Sequence, residues 1–225
     1  MQNTVVTNAH LYGLDETKLI VCDTLGANEQ KLHIDAAAAF KEMQIAAVQA
    51  GVSLHIASGF RSFAHQQRIW EYKFHHESRQ ALSNEERIAD ILRWSALPGT
   101  SRHHWGSDFD AYDSATIERS ALTLEPWEYE QGGPCHKLFL WLEKNAPRFG
   151  FYRPYDQDRG GVAPEPWHWS YAPLSSIYLS EFNSHHLRAV LAQAQLSGLT
   201  AESDLDNYLH AYVQTYVMNV ATANI

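Results

Sequence analysis

Two short stretches far apart in the chain carry chemically related side chains, and a fold that brings them together is tightly constrained. The first is SRHHWGSDFDAYD, Ser101 to Asp113, in which Ser101, His103, Gly106 and Asp110 set out an SxHxxGxxxD spacing. The second is EPWHW, where Glu165 and His168 stand as ExxH. Together they offer two imidazoles and one carboxylate as ligands, with a second carboxylate to spare. Neutral imidazole nitrogen and carboxylate oxygen suit a borderline cation such as zinc, and three ligands leave one position open for water. Water in such a site loses a proton near a pKa of about 7, and the spare carboxylate, Glu165, suits the base that takes it and passes it to a leaving amine. The competing reading is a solvated loop, because thirteen histidines in 225 residues place some His near Asp without any function. The neighbours favour the site. Gly106 permits a sharp turn beside a metal, and Trp105, Phe109, Trp167 and Trp169 offer apolar walls.

The pattern before these stretches is helix, then strand, with chemistry at the strand's end. DAAAAFKEMQIAAVQAG predicts a helix capped by Asp35 and closed by Gly51. In VSLHIASGF, Val52, Leu54 and Ile56 alternate with Ser53, His55 and Ala57, which predicts a half-buried strand ending at Ser58-Gly59. Arg61 lies just beyond, where loops carry binding residues, and its planar fork matches a carboxylate; the alternative is a surface or salt-bridged arginine. SFAHQQRIWEYKF resumes helical spacing. Residues 75–95 read as an inserted helix, with Ser83 three residues before Glu86 as a capping box. CHKLFLWLEKNAPRFGF predicts a helix striped by Leu138, Trp141 and Leu142, whereas FYRPY and EPWHWSY look extended. The lead-in, residues 1–34, reads as short strands (TVVTN, KLIVCDTL) and loops.

From about residue 177 the style changes to two helix-like segments, with Leu205, Leu209, Tyr212, Val213 and Tyr216 as a core stripe. The expected organisation is one domain over 1–176 that carries the candidate metal site, with the insertion near 75–95, and a C-terminal helical extension over 177–225 packed on it.

Composition narrows the function. A net charge of -9 with no basic run argues against nucleic acid as a partner. Cys22 and Cys135 form no ligand pair and read as buried thiols. No window approaches a membrane span and no signal-peptide pattern opens the chain, so a cytoplasmic location is expected, with access to the cell envelope by another route left open.

The three pieces SGFRS with its following Gln, SRHHWGSDFD, and FGF with EPWHWSY come in an order that resembles the LAS metallopeptidases, the zinc D-alanyl-D-alanine carboxypeptidases of the VanY and VanX type. The resemblance covers roughly residues 35–172. It implies an α+β fold, helices packed on a small antiparallel sheet that carries the site. It also implies one zinc ion held by His103, Asp110 and His168, with Glu165 as the catalytic base. Arg61 would grip the substrate's terminal carboxylate or polarise the scissile carbonyl, and Ser58, Gln66 and Ser101 would line the pocket. The implied substrate is a peptidoglycan stem peptide or muropeptide that loses its C-terminal D-Ala. An endopeptidase of the endolysin kind and a non-catalytic zinc module, as in the related hedgehog signalling domains, are the alternatives. Two departures stand out, the insertion at residues 75–95 and Asp108. Asp108 occupies a position that is small or apolar in many members and is expected to point outward into solvent, the alternative being an inward carboxylate that supports a ligand or competes as one. His104, beside a proposed ligand, is expected to face away from the metal if the segment is strand-like.

Overall fold

The computed structural model describes residues 8–26, 28–199 and 205–223, the side chains of 205–207 excepted. The expected strand at TVVTN therefore falls almost wholly outside the described residues. A hairpin of β1 (Leu19–Leu25) and β2 (Asn28–His33) leads into helix α1 (Ile34–Gln49). The helix begins two residues earlier than an Asp35 cap would start it. His33 is the N-cap, its ring nitrogen accepting from the Asp35 amide, and Asp35 instead places its charge in the first turn, at the positive end of the helix dipole.

The main sheet has four antiparallel strands in the order β3-β4-β6-β5: β3 (Leu54–Ser58), β4 (Asp108–Asp113), β5 (Phe151–Tyr152) and β6 (His168–Tyr171). Between β3 and β4 run α2 (Phe63–His75) and α3 (Asn84–Leu92), and α4 (His136–Asn145) precedes β5. This is the α+β arrangement that the motifs imply. Period two along β4 sends Phe109 and Ala111 to one face of the sheet and Asp108 and Asp110 to the other. Phe109 and Ala111 join Phe40 and Met43 of α1, Leu138 and Leu142 of α4, and Trp169 of β6 in one buried apolar cluster. The second face holds charge, yet every residue of β4 is buried. Cys22 and Cys135 are buried free thiols, as expected.

The inserted segment folds as expected at α3, where the Ser83 hydroxyl and the Glu86 carboxylate satisfy each other's backbone N–H groups. Ile91 and Leu92 then pack with Trp70 and Phe74 of α2. The region after β6 differs from expectation. Helix α5 (Ala172–Glu181) follows the strand directly, so position 176 lies inside a helix and not at a boundary. Helices α6 (Ser184–Leu191) and α7 (Leu205–Tyr212) complete a cluster in which Leu187, Leu209 and Tyr212 bury against Trp70, Trp105 and Leu174. Leu209, Tyr212 and Val213 serve as the core stripe, while the side chain of Leu205 lies outside the described residues. No helix among the described residues is long and apolar enough to cross a membrane.

Candidate metallopeptidase site

Sheet register assembles the first part of the site. Ser58 of β3 pairs with Asp110 of β4, and Asp110 pairs with His168 of β6, so the three lie in one row across the sheet. His103 arrives from a 3-10 turn, Arg102–Trp105, that precedes β4. Gly106 closes this turn with φ +66°, and a Cβ there would sit 2.8 Å from the His33 backbone nitrogen and 2.6 Å from Leu19 Cδ2. The Gly106 carbonyl also accepts from that His33 N–H at 2.8 Å, so the turn and the hairpin approach at backbone distance, as only glycine allows.

His103, Asp110 and His168 each present a ligand atom, all within 4.8 Å of one another. Their hydrogen bonds decide which atoms are free. His103 Nδ1 lies 2.9 Å from the Gly59 carbonyl, which can only accept, so Nδ1 carries the hydrogen and Nε2 keeps its lone pair. His168 Nε2 lies 2.9 Å from Asp108 Oδ2 and donates to it, leaving Nδ1 as the lone-pair atom. Nδ1 of His168 is 3.3 Å from Asp110 Oδ1 and 3.3 Å from Glu165 Oε2, and Nε2 of His103 is 3.4 Å from Asp110 Oδ2. Asp110 Oδ1 is buried with no hydrogen-bond donor. Lone pairs facing lone pairs in a buried setting need a cation between them. The set of two nitrogens and one carboxylate therefore fits zinc, with no ligand bond to the neighbouring base required.

The electrostatics agree. Burial would raise the carboxyl of Asp110, but the imidazoles of His103 and His168 beside it hold it far below the usual carboxylate range. Burial lowers His103, and Arg61 adds to the effect, so this imidazole stays neutral and able to ligate. His168 goes the other way: burial opposes its charge, but the carboxylates of Asp108, Asp110 and Glu165 around the ring outweigh it and favour a bound cation or proton.

The outward Asp108 expected from sequence is overturned. Asp108 is fully buried, and its two oxygens take four donors. Arg102 Nε donates to it at 2.7 Å, His168 Nε2 and Ser170 Oγ at 2.9 Å each, and the adjacent Ser107 hydroxyl at close range. The Arg102 charge, against burial, holds the carboxyl far below its usual range. Arg102 is buried as well, bonded to Ser170 at 2.7 Å and lying 4.6 Å over the Trp105 ring. The His168 imidazole is thus oriented by a carboxylate that is itself fixed by an arginine, the arrangement that in a metal site sets tautomer and raises ligand basicity.

His104 does face away from the ligands, though through a 3-10 turn and not a strand. Its Nδ1–H donates to the Arg61 carbonyl, and its Nε2 accepts from the Gly99 N–H at 3.0 Å. Burial pushes its pKa down to about 3, so it is a neutral strut for the Arg61 backbone.

Arg61 makes no salt bridge among the described residues. Nη1 donates to Gln66 Oε1 at 2.8 Å and Nη2 to Ser58 Oγ at 3.0 Å, both neutral acceptors. Gln66 departs from the expected role: it is fully buried, does not line the cavity, and is anchored by Nε2 to the Ala96 carbonyl at 2.7 Å. Ser58 and Gln66 aim Arg61, while Ser101 lines the cavity beside His103. The cavity has a volume of about 440 Å³, and Arg61, His103, Asp110, Glu165 and His168 all open onto it. Tyr155, missed in the sequence, sets its ring edge-on to His168 with centroids 4.9 Å apart, and its carbonyl accepts from the Glu165 N–H at 3.0 Å. Of the expected apolar walls, only Trp167 lines the cavity; Phe109 and Trp169 belong to the sheet's other face and Trp105 to the core under Arg102.

Residues 29–174 match the family model described as VanY, D-alanyl-D-alanine carboxypeptidase. The chain belongs to this family. Among its relatives is a D-alanyl-D-alanine carboxypeptidase of Enterococcus faecalis, 28% identical over 153 residues that make up 67% of this chain and 52% of that protein. The chain therefore spans about half of that enterococcal relative. An uncharacterized protein of Haemophilus influenzae is 41% identical over 90 residues, 39% of this chain and 69% of its own. Among solved structures, VanYB in complex with D-alanine-D-alanine superposes with a TM-score of 0.53 at 26% identity, covering 77% of this chain and 90% of that one. A mutant of the vancomycin-resistance D,D-pentapeptidase VanY in complex with Zn(II) gives 0.52 at 26% identity, covering 75% and 90%. The VanY membership agrees with the resemblance carried by the three motifs.

Proposed function

We propose that this VanY-family chain is a carboxypeptidase that uses one zinc ion to remove the C-terminal D-Ala from peptidoglycan stem peptides. The observation that carries the reading is the set of three candidate ligand atoms, on His103, Asp110 and His168, converging in one cavity beside the Glu165 carboxylate and an arginine with no salt bridge among the described residues. Zinc, when bound, supplies Lewis-acid polarisation of a carbonyl and makes water a stronger acid. Glu165, with Oε2 3.3 Å from His168 Nδ1, is the residue that accepts the proton of the attacking water and returns it to the leaving amine. The Arg61 fork, held by Ser58 and Gln66 without a competing carboxylate, pairs with the terminal carboxylate of the substrate. Tyr155 and Trp167 keep bulk water from the ligands. The neighbour solved with D-alanine-D-alanine supports the substrate class, and the one solved with Zn(II) supports the metal.

A second groove of about 600 Å³ adjoins the cavity across Arg61, Ile69 and Leu124, and this room beyond Arg61 is what an endopeptidase would need. Mass spectrometry of synthetic stem pentapeptide and tetrapeptide, with zinc-loaded and chelated protein, decides between them. Loss of one terminal alanine only in the zinc-loaded sample is expected, and amidation of the terminal carboxylate should abolish it. Internal fragments from the amidated peptide would favour the endopeptidase, and intact peptides in every sample would overturn both.

A further inference from the structure

One basic residue in the cavity is used by nothing described so far. Lys73 lines the same cavity as Arg61 and Glu165, from the last turn of α2. Its ammonium makes no hydrogen bond and no ion pair among the described residues, although most of the side chain is covered. Burial lowers its pKa, and the charges of Arg79 and Arg61 lower it further, while Glu165 and Asp90 act in the opposite direction. Such an ammonium has lost water without gaining a partner, and an anion entering the cavity would restore what it lost. Ile69, one turn earlier, and Trp94, at the end of the inserted segment and 45% exposed, line the cavity with it and give the ammonium apolar flanks.

We infer that Lys73 is a second anion subsite, which reads a side-chain carboxylate on the residue third from the substrate's C-terminus. This deepens the proposed function and rests on its assignment of Arg61 to the terminal carboxylate. The spacing supports it. Gln66, which grips Arg61, and Lys73 are seven residues apart on one helix, which places their backbones about 10 Å apart along its axis. Two residues of extended peptide cover about 7 Å, and a carboxylate-bearing side chain supplies the rest. A peptide with a neutral or basic side chain at that position leaves the ammonium unpaired, so the subsite selects an acidic peptide over its uncharged counterpart.

The test compares two peptides that end in D-Ala-D-Ala and differ only at the third residue from the end, one with a side-chain carboxylate and one with the carboxamide. The zinc-loaded wild type should prefer the acidic peptide by about tenfold in kcat/KM, through KM more than kcat, as befits one half-buried charge-assisted hydrogen bond. Lys73→Met should bring that ratio near one, and Lys73→Arg should restore much of it. Thermal melts of the variants confirm that they fold. A ratio that is the same in the wild type and Lys73→Met overturns the subsite, including the case in which both peptides lose equally. If the wild type cleaves neither peptide, the proposed function fails and the subsite is read from binding alone, by tryptophan fluorescence titration with the same pair. A preference for the acid that Lys73→Met removes upholds the subsite even then, and equal affinities overturn it.

Discussion

The two faces of β4 are equally dry and are stabilised in opposite ways. Phe109 and Ala111 bury in a layer of Phe40, Met43, Leu138 and Trp169, where the gain scales with apolar area and any close-fitting hydrocarbon serves. One residue away, Asp108 buries against Arg102, Ser107, His168 and Ser170, where nothing is gained unless every partner is present. The apolar face tolerates variation in shape at modest cost, whereas the charged face tolerates almost none. A protein accepts that cost where the groups do something else, and here they fix the plane and tautomer of His168.

Substitutions on and around the strand can separate these two kinds of burial. The largest effect is expected at Glu165→Gln, which leaves both faces intact: turnover on a cleavable stem peptide should fall about 10²- to 10⁴-fold while zinc content by atomic absorption stays near one per chain. Retained turnover would remove Glu165 from the chemistry. Next come two neighbours with matched costs and unmatched consequences. Asp108→Ala should destabilise the fold by about 3–5 kcal/mol, because it strands the buried Arg102 guanidinium, and should also weaken zinc about 10- to 100-fold. Phe109→Ala should destabilise by about 3–5 kcal/mol through a cavity, with far less change in zinc affinity. Urea melts give the first quantity and competition with a chromogenic chelator the second; equal zinc losses in the two variants would erase the distinction between the faces. Chelation of the wild type should lower its melting temperature in proportion to zinc affinity, since the metal binds the folded site alone. The smallest effect belongs to Ser83→Ala at the α3 capping box, about 1 kcal/mol or less, with zinc binding unaltered.

How far the sequence disclosed all this depends on whether the partners were close in spacing or only in space. The ligand grid was legible because metal chemistry fixes residue type and spacing together, and the alternation of β4 then put Asp110 on the opposite face from Phe109. The Ser83 cap was legible for the same reason, both halves lying within four residues. Asp108 was misread because the general preference of aspartate for solvent was applied without its partners: Ser170 and His168 come from a strand some sixty residues later, and Arg102 reaches it only because the intervening turn folds back. Gln66 was placed in the pocket by its motif, but the rotation of α2 about its axis, set by Trp70 and Phe74, turns it inward. Lys73 and Tyr155 carried no signal, since neither belongs to a spaced motif. The end of the domain near residue 176 was misjudged because the extended EPWHWSY gives way at once to α5, whose apolar residues carry almost no helical stripe.

The stacking of Arg102 on Trp105 reaches further than the ligand it steadies. Trp105 also belongs to the cluster built from the C-terminal helices, with ring centroids 6.3 Å from Tyr178 and 6.5 Å from Phe182 of the α5 region. His168, Asp108, Arg102, Trp105 and α5 thus form one continuous column of contacts from the candidate ligand into the C-terminal helices. The helices beyond β6 are the footing of that column, and a protein trimmed to the motif-bearing segment would keep its ligands and lose the ground they stand on.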